Sequence, residues 1–215
     1  MTAPLDITAV VPAHNEESRI APVLRNLRRW AREVVVVDDG SSDATASVAE
    51  REGAIVVRNP VRLGYLGALR RGFRAATRPV IVVIDADGEF SADDIPAVVG
   101  PVLQGTADLV LGSRERKPRW SESLLNWLAN LRVRGDSGTG MRALSRELAL
   151  ALPMKGTCVC GTSLLEAYLL GARIEQRPVR MLPVAKKRRV QWKHAIQFFY
   201  VLRLLAARPR RRPVG

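Results

Sequence analysis

Val34-Val35-Val36-Val37-Asp38-Asp39-Gly40-Ser41-Ser42-Asp43 is the stretch that decides the fold. Four valines in a row make a strand that is apolar on both faces, and such strands belong to parallel sheets covered by helices on either side. The strand stops at two acids and turns on a glycine. Asp43 is then placed to cap a helix that the spacing predicts over 43–52.

Working outward, the same alternation repeats. Ile7–Pro12 is a short apolar run that ends in polar residues. From Glu17 to Trp30, apolar residues recur at Ile20, Val23, Leu24 and Leu27, which is helical spacing. Ile55–Val57 reads as a strand and Leu66, Leu69, Phe73 and Ala76 as a helix. Pro79–Ile84 and Leu109–Gly112 complete a set of five strands, with a helix over Asp93–Leu103 between them. The fold class is α/β, with a mostly parallel central sheet flanked by helices. Beyond it the reading is coarser: a mixed basic region over 114–150 with a helix at Ser121–Leu131, a helix over 160–171, and a strand or pair of strands over Ile174–Val184.

In sheets of this kind ligands sit at the carboxyl ends of the strands. Polar clusters follow the strands here: His14-Asn15-Glu16, Asp38-Asp39-Gly40-Ser41, Asp85-Ala86-Asp87 and Ser113-Arg114. Asp85 and Asp87 are the most telling. Two carboxylates held close at the end of a buried strand repel each other and call for a cation. Mg²⁺ or Mn²⁺ takes carboxylate oxygens together with substrate phosphates, and Glu89 offers a third oxygen. Asp38 or Asp39 can accept hydrogen bonds from a nucleobase or a ribose hydroxyl, and Asn15 and Glu16 are placed to line the same nucleotide pocket.

Six segments, in this order and spacing, resemble the inverting glycosyltransferase family 2, whose fold is called GT-A: VVPAHNEE (10–17), VVVVDDGSSD (34–43), GYLGALRRGF (64–73), VIDADGEF (83–90), DLVLGSR (108–114) and DSGTGMRALSRE (136–147). The most similar subgroup is the polyprenyl- or dolichyl-phosphate sugar synthases. The resemblance implies a nucleotide-sugar donor, GDP-mannose or a UDP-hexose, held by Pro12, Ala13, Asn15, Glu16, Asp38, Asp39, Gly64, Asp85 and Ala86. It implies a metal on Asp85 and Asp87. Family members often carry Gln where this chain has Glu89, which adds a charge to that site. The resemblance also assigns Arg114 to an acceptor phosphate, and matches Asp136, Thr139, Gly140 and Arg142 to a D-x-x-S-G-F-R segment with Thr for Ser and Met for Phe.

An acceptor phosphate also fits the charge pattern. Arg114, Arg116, Lys117, Arg119, Arg132 and Arg134 fall within 21 residues, and guanidinium groups bind phosphates through two parallel bonds. Ser113, Arg114, Lys117, Arg119, Arg132 and Arg142 are therefore the expected acceptor-phosphate contacts. A phosphomonoester is already mostly a dianion at neutral pH and needs no general base. An alcohol acceptor would need one, and Asp136 is the candidate. The catalytic set expected from the sequence is Asp87, Asp136 and Arg114.

The chain has 215 residues and a formal charge of +13, of which ten Lys or Arg and no acid fall between Lys186 and Gly215. Residues 1–185 thus form the transferase domain and 186–215 a basic tail. In that tail Ala195, Phe198, Phe199, Leu202 and Leu205 fall on one helical face, with Lys193 and Gln197 opposite. Basic ends around an apolar, aromatic-rich face describe a helix lying on anionic lipid. Nucleic acid is excluded as a partner, because the positive excess sits in the tail while acids crowd the site. The family's spanning helices have no counterpart in the tail, so a separate membrane protein is an expected partner. The first ten residues lack a signal-peptide pattern. Cys158 and Cys160 are too few for a disulfide framework or a zinc site. These features lead to a cytoplasmic protein, peripheral on the inner face of the membrane.

Overall fold

The computed structural model describes residues 3–115, 120–156, 158–184 and 193–209. Five strands expected from the valine- and isoleucine-rich runs form: β1 (Leu5–Ala13), β2 (Ala31–Asp38), β3 (Ile55–Arg58), β4 (Val80–Val83) and β5 (Leu109–Ser113). Between them run α1 (Ile20–Leu27), α2 (Thr45–Arg51), α3 (Tyr65–Ala75) and α4 (Ile95–Leu103). Helix α1 is shorter than its apolar periodicity predicts. The backbone N–H groups of Glu16 and Glu17 donate to Thr45 Oγ1 (2.8 Å) and Asp43 Oδ2 (3.2 Å), so the residues ahead of the helix are tied to the second turn instead. The N-cap of α2 is Ala44 and not Asp43; Asp43 stands one residue earlier, where its Oδ1 accepts the N–H of Thr45 at 3.0 Å and ties the turn to the start of the helix.

The second half adds α5 (Trp120–Asn130), β6 (Arg142–Ser145), α6 (Arg146–Ala151), α7 (Thr162–Leu169), β7 (Ile174–Pro178) and α8 (Lys193–Ala206). The seven-stranded sheet has the order β3-β2-β1-β4-β6-β5-β7. β6 runs antiparallel between β4 and β5, and the other pairings are parallel. β6 and α6 lie in what reads from sequence as a mixed region. Four residues, Arg-Ala-Leu-Ser, are too few to show a period.

Alternate strand residues feed two cores. Val34 and Val36 of β2 pack with α1, α2 and α4, through Ile20, Leu24, Ala49, Ile95 and Val98. Val35 and Val37 face the other way, with Leu66, Leu69 and Phe73 of α3 and the residues of α5, α7 and α8. The sheet is therefore buried on both faces, and its chemistry is confined to the strand ends.

Helix α8 is rolled relative to the sequence reading. Gln197, expected on the outer face, is fully buried together with Val201. Its Nε2 donates to the carbonyls of Cys158 (2.7 Å) and Cys160 (3.1 Å) and to Thr162 Oγ1 (2.9 Å). The Cys158 carbonyl also accepts the Thr162 hydroxyl at 3.0 Å, so the amide joins a network of buried loop carbonyls that offsets the cost of turning it inward. Phe198 and Leu205 of the expected apolar face pack against the core, while Phe199 and Leu202 remain exposed. Both cysteines are free thiols. Among the described residues, no helix is long and apolar enough to cross a membrane. The basic segment Lys186–Arg189 lies outside the described residues.

Candidate functional site

The carboxyl ends of β1, β2 and β4 converge on an open cavity of about 310 Å³ lined by Pro12, Ala13, His14, Glu16, Asp39, Arg62, Tyr65, Ala68, Asp85, Ala86 and Asp87. Parallel pairing puts these ends side by side: Ala13 of β1 lies opposite Asp38 of β2. Of the residues that sequence reasoning assigned to the donor, Pro12, Ala13, Glu16, Asp39, Asp85 and Ala86 are brought together, and Asp87, assigned to the metal, joins them.

Asn15, Asp38 and Gly64 lie outside that lining and serve the turns. Asn15 Oδ1 accepts the N–H of Ser42 (2.9 Å), and the Asn15 N–H donates to Ser41 Oγ (3.0 Å), which locks the first turn to the second. Asp38 is buried, and its Oδ1 accepts the N–H of Ser41 at 3.2 Å. The N–H of Gly64 donates to Asp39 Oδ2 at 2.8 Å. Asp39 also accepts Asn59 Nδ2 and the N–H of Leu63 on Oδ1, each at 2.8 Å. It thus anchors the loop before α3 while facing the cavity.

Asp85 and Asp87 sit just past the end of β4. Tyr65, the first residue of α3, donates its phenol to Asp85 Oδ1 at 2.9 Å. Burial, with the nearby Asp85 charge, holds the Tyr65 phenol well above its usual pKa, so it stays a donor. Asp87 is buried and its Oδ1 accepts the N–H of Glu89 at 3.1 Å. Among the described residues no group of three or more His, Cys, Asp and Glu side chains is arranged to hold a metal ion. Glu89 therefore does not complete a three-ligand site. Two carboxylates facing this cavity still fit Mg²⁺ or Mn²⁺, which take one or two protein carboxylates and complete their shell with phosphate oxygens and water. Sequence reasoning passed over Tyr65 and Arg62. The signal for both was their place in the glycine-marked loop ahead of α3, where backbone and side chains approach a ligand.

On the other side of Asp85 runs the 136–140 loop. A side-chain carbon at Gly140 would lie 2.1 Å from Asp85 Oδ2, and one at Gly138 2.1 Å from Glu122 Oε1. A larger residue at either position would displace that carboxylate, and the loop bridges the acid pair to a second polar cluster. In that cluster Arg114, expected to face an acceptor, is turned inward. Its Nε and Nη2 donate to Asp136 Oδ2 (2.8 Å) and Oδ1 (2.9 Å), and Nη2 also bonds Glu122. The side chain is only 5% exposed. Burial works against its charge, but the bonds to Asp136 and the two acid charges more than offset this and hold its pKa above the usual value. Asp136 is equally buried and takes the Arg114 N–H as well, at 3.2 Å. As found, Arg114 is not free to bind a phosphate and Asp136 is not free to act as a base.

The remaining acceptor candidates are dispersed. Arg142 is buried, bonded to Ser163 Oγ (2.8 Å) and to the Thr139 carbonyl, while its Nε has no hydrogen-bond partner among the described residues. Arg132 is exposed and donates to the Leu205 carbonyl of α8 at 2.6 Å. Ser113 ends β5, where its carbonyl accepts the N–H of Val179. Lys117 and Arg119 lie outside the described residues.

Comparison with known proteins agrees with this geometry. The chain is 37% identical over 161 residues to an uncharacterised protein of Methanocaldococcus jannaschii, covering 67% of this chain and 66% of that one. It is 30% identical over 189 residues to a dolichyl-phosphate hexose transferase of Haloferax volcanii, covering 81% and 82%. The chain spans about half the length of uncharacterised mycobacterial glycosyltransferases that it matches at 46% identity, 48% of each. The fold is that of the GT-A glycosyltransferases. Glucosyl-3-phosphoglycerate synthase of Mycobacterium tuberculosis, in complex with phosphoglyceric acid, superimposes with a TM-score of 0.75 at 28% identity, covering 97% of this chain and 81% of that one. The same enzyme is known with Mn²⁺ and UDP-glucose bound. The profile of glycosyl transferase family 2 matches residues 8–145, well over half of the sequence, and the chain belongs to that family.

Proposed function

We propose that this protein transfers a hexosyl group, with inversion, from GDP-mannose or a UDP-hexose to a polyprenyl phosphate at the cytoplasmic face of a membrane. The observation that carries the reading is the acid pair Asp85 and Asp87 opening onto one cavity with Asp39, Arg62 and Tyr65. A Mg²⁺ or Mn²⁺ ion bound by the two carboxylates would neutralise the diphosphate leaving group. Tyr65 fixes the direction of Asp85, and Arg62, exposed at the cavity mouth, suits the charge of the diphosphate. The Asn15–Ser42 and Asp39–Gly64 bonds hold the nucleotide-facing turns before a donor arrives, so little ordering remains to be done on binding.

The locked state of Asp136 favours a phosphate acceptor over an alcohol. With that carboxylate tied to Arg114, the expected base is occupied, and a phosphate dianion needs none. The dolichyl-phosphate enzyme of Haloferax volcanii supports the same acceptor class. A second reading, a soluble anionic acceptor, is favoured by the likeness to the phosphoglyceric acid complex.

One assay separates them. Radiolabelled GDP-mannose, UDP-glucose and UDP-N-acetylglucosamine are each offered with Mn²⁺ and either polyprenyl phosphate or phosphoglycerate. Label from one donor should enter the organic extract. Label confined to the aqueous phase with phosphoglycerate would replace the lipid reading by the soluble one, and no transfer from any donor would overturn both.

A further inference from the structure

Helix α5 has a fully apolar outer stripe. Leu124 is exposed, and Trp127 and Leu131 are each 59% exposed. Spacings of three and four residues place them on one face. The opposite face, with Glu122, Leu125, Asn126 and Ala129, is buried. Helix α8 lies alongside, joined to α5 through the Arg132–Leu205 bond and a shared core of Leu125, Leu128, Ala129 and Val201. Because Gln197 and Val201 turn inward, α8 directs Ile196, Phe199 (72% exposed) and Leu202 outward. Single exposed leucines are ordinary, but two packed helices that both present large apolar side chains form a patch of the kind that marks an interaction surface.

The charges around the patch select its occupant. Arg132, Arg134, Arg203 and Arg208 are exposed on and beside the two helices. In sequence, Arg116, Lys117 and Arg119 precede α5, while Lys186–Arg189 precede α8 and Arg210–Arg212 follow it. Of the nearest acids, Glu122 is buried against Arg114, leaving Glu115 exposed. A second copy of this chain would bring one cationic collar against another. An anionic bilayer complements both features: apolar side chains enter the interface while the collar meets lipid headgroups. We propose that α5 and α8 together form a docking face for anionic membrane, with α5 as an equal partner of the C-terminal helix. Helix α5 follows Ser113-Arg114 at the end of β5, so docking would bring that strand end to the headgroup layer. This last consequence rests on the lipid-acceptor reading; the docking itself does not.

The test is flotation of the full chain with vesicles of phosphatidylcholine alone, and with vesicles of phosphatidylcholine and phosphatidylglycerol in equal parts. Three proteins are compared: wild type, the α5 variant Trp127→Glu/Leu131→Glu, and the α8 variant Phe199→Glu/Leu202→Glu. The side chains changed are exposed, and melting curves check that the fold survives. Wild type should float with the anionic vesicles, and each variant should lose about tenfold or more in partitioning. An α5 variant that floats like wild type overturns the proposal, as does equal binding to neutral vesicles. Concentration-dependent self-association without vesicles, abolished by the same substitutions, would reassign the face to a second copy. Sugar transfer is measured alongside, to polyprenyl phosphate in detergent and in vesicles. The α5 variant should fall behind wild type in vesicles alone. Absence of transfer by wild type in both would remove the acceptor reading while leaving the flotation result to stand.

Discussion

β1, β2 and β4 on one side and β5 on the other all lead into charged residues, yet they dispose of those charges in opposite ways. At the ends of β1, β2 and β4, Asp39, Asp85 and Asp87 border an open cavity. At the end of β5, Arg114 is drawn inside and matched by Asp136 and Glu122. The strand-end rule says where charge collects. Whether that charge meets a ligand depends on whether the protein has already supplied a counter-ion. The acid pair accepts a hydroxyl and a backbone N–H and still borders the open cavity. The arginine has two carboxylates, so its positive charge is cancelled before any acceptor arrives.

The contrast is broken or upheld most strongly by a pair of substitutions. Asp87→Ala should reduce sugar transfer about a thousandfold or more while leaving the denaturation midpoint close to wild type. Arg114→Ala should do the reverse in kind, costing about 3–5 kcal/mol of stability because two buried carboxylates lose their partner. Activity assays and urea melts on both variants decide the matter. If Arg114→Ala is as stable as wild type and only the acceptor KM rises, the arginine serves the acceptor and the two halves behave alike.

A smaller effect sharpens the description of the first half. Tyr65→Phe removes one hydrogen bond to a carboxylate, worth about 1.5–3 kcal/mol when the acceptor is charged. If Tyr65 sets the direction of Asp85, kcat should fall by about tenfold or more with a raised Mn²⁺ requirement, alongside the loss of stability that the missing bond brings. If the ring only packs, Phe will replace it with kcat and the Mn²⁺ dependence unchanged.

The sheet, and the helices of the first half, were legible because valine runs and leucine spacing report burial directly, and burial is what a parallel sheet imposes on its strands. Asp85, Asp87 and Asp39 were legible for the same reason: a polar residue directly after a buried run has to lie at an edge. Arg114 was not. Its partners, eight and 22 residues further on in sequence, become neighbours only when β6 inserts antiparallel beside β5, and β6 itself is too short to show a period. The roll of α8 was hidden for a related cause. Gln197 looks like a surface residue until the fold brings the carbonyls of Cys158 and Cys160 beside its amide. Where a side chain answers a distant backbone group, its own neighbours in sequence say little about the direction it takes.

Two buried glutamates carry the contrast into pH dependence, the smallest effect expected. Glu33, in the first half, accepts the N–H and hydroxyl of Thr77 (2.9 and 2.7 Å) and the hydroxyl of Thr8. Burial opposes its charge, but these donors and Arg78 prevail and lower its pKa. Its stabilising contribution is then present above the unfolded-state pKa and is lost as pH falls through the lower folded value. Glu166, in the second half, accepts the N–H groups of Met154 and Lys155, each at 3.0 Å, yet burial prevails and raises its pKa. Its contribution has the opposite sign: favourable below the unfolded-state pKa and lost as pH rises through the raised one. Stability measured by urea unfolding from neutral pH into the acid range should show this as slopes. Relative to wild type, Glu33→Gln should flatten the loss of stability on acidification. Glu166→Gln should steepen it, because the variant forgoes the proton uptake that favours the folded state. If both variants steepened the slope, burial would set the charge of both groups, and if both flattened it, the local donors would; in either case the difference between the halves would stop at the site.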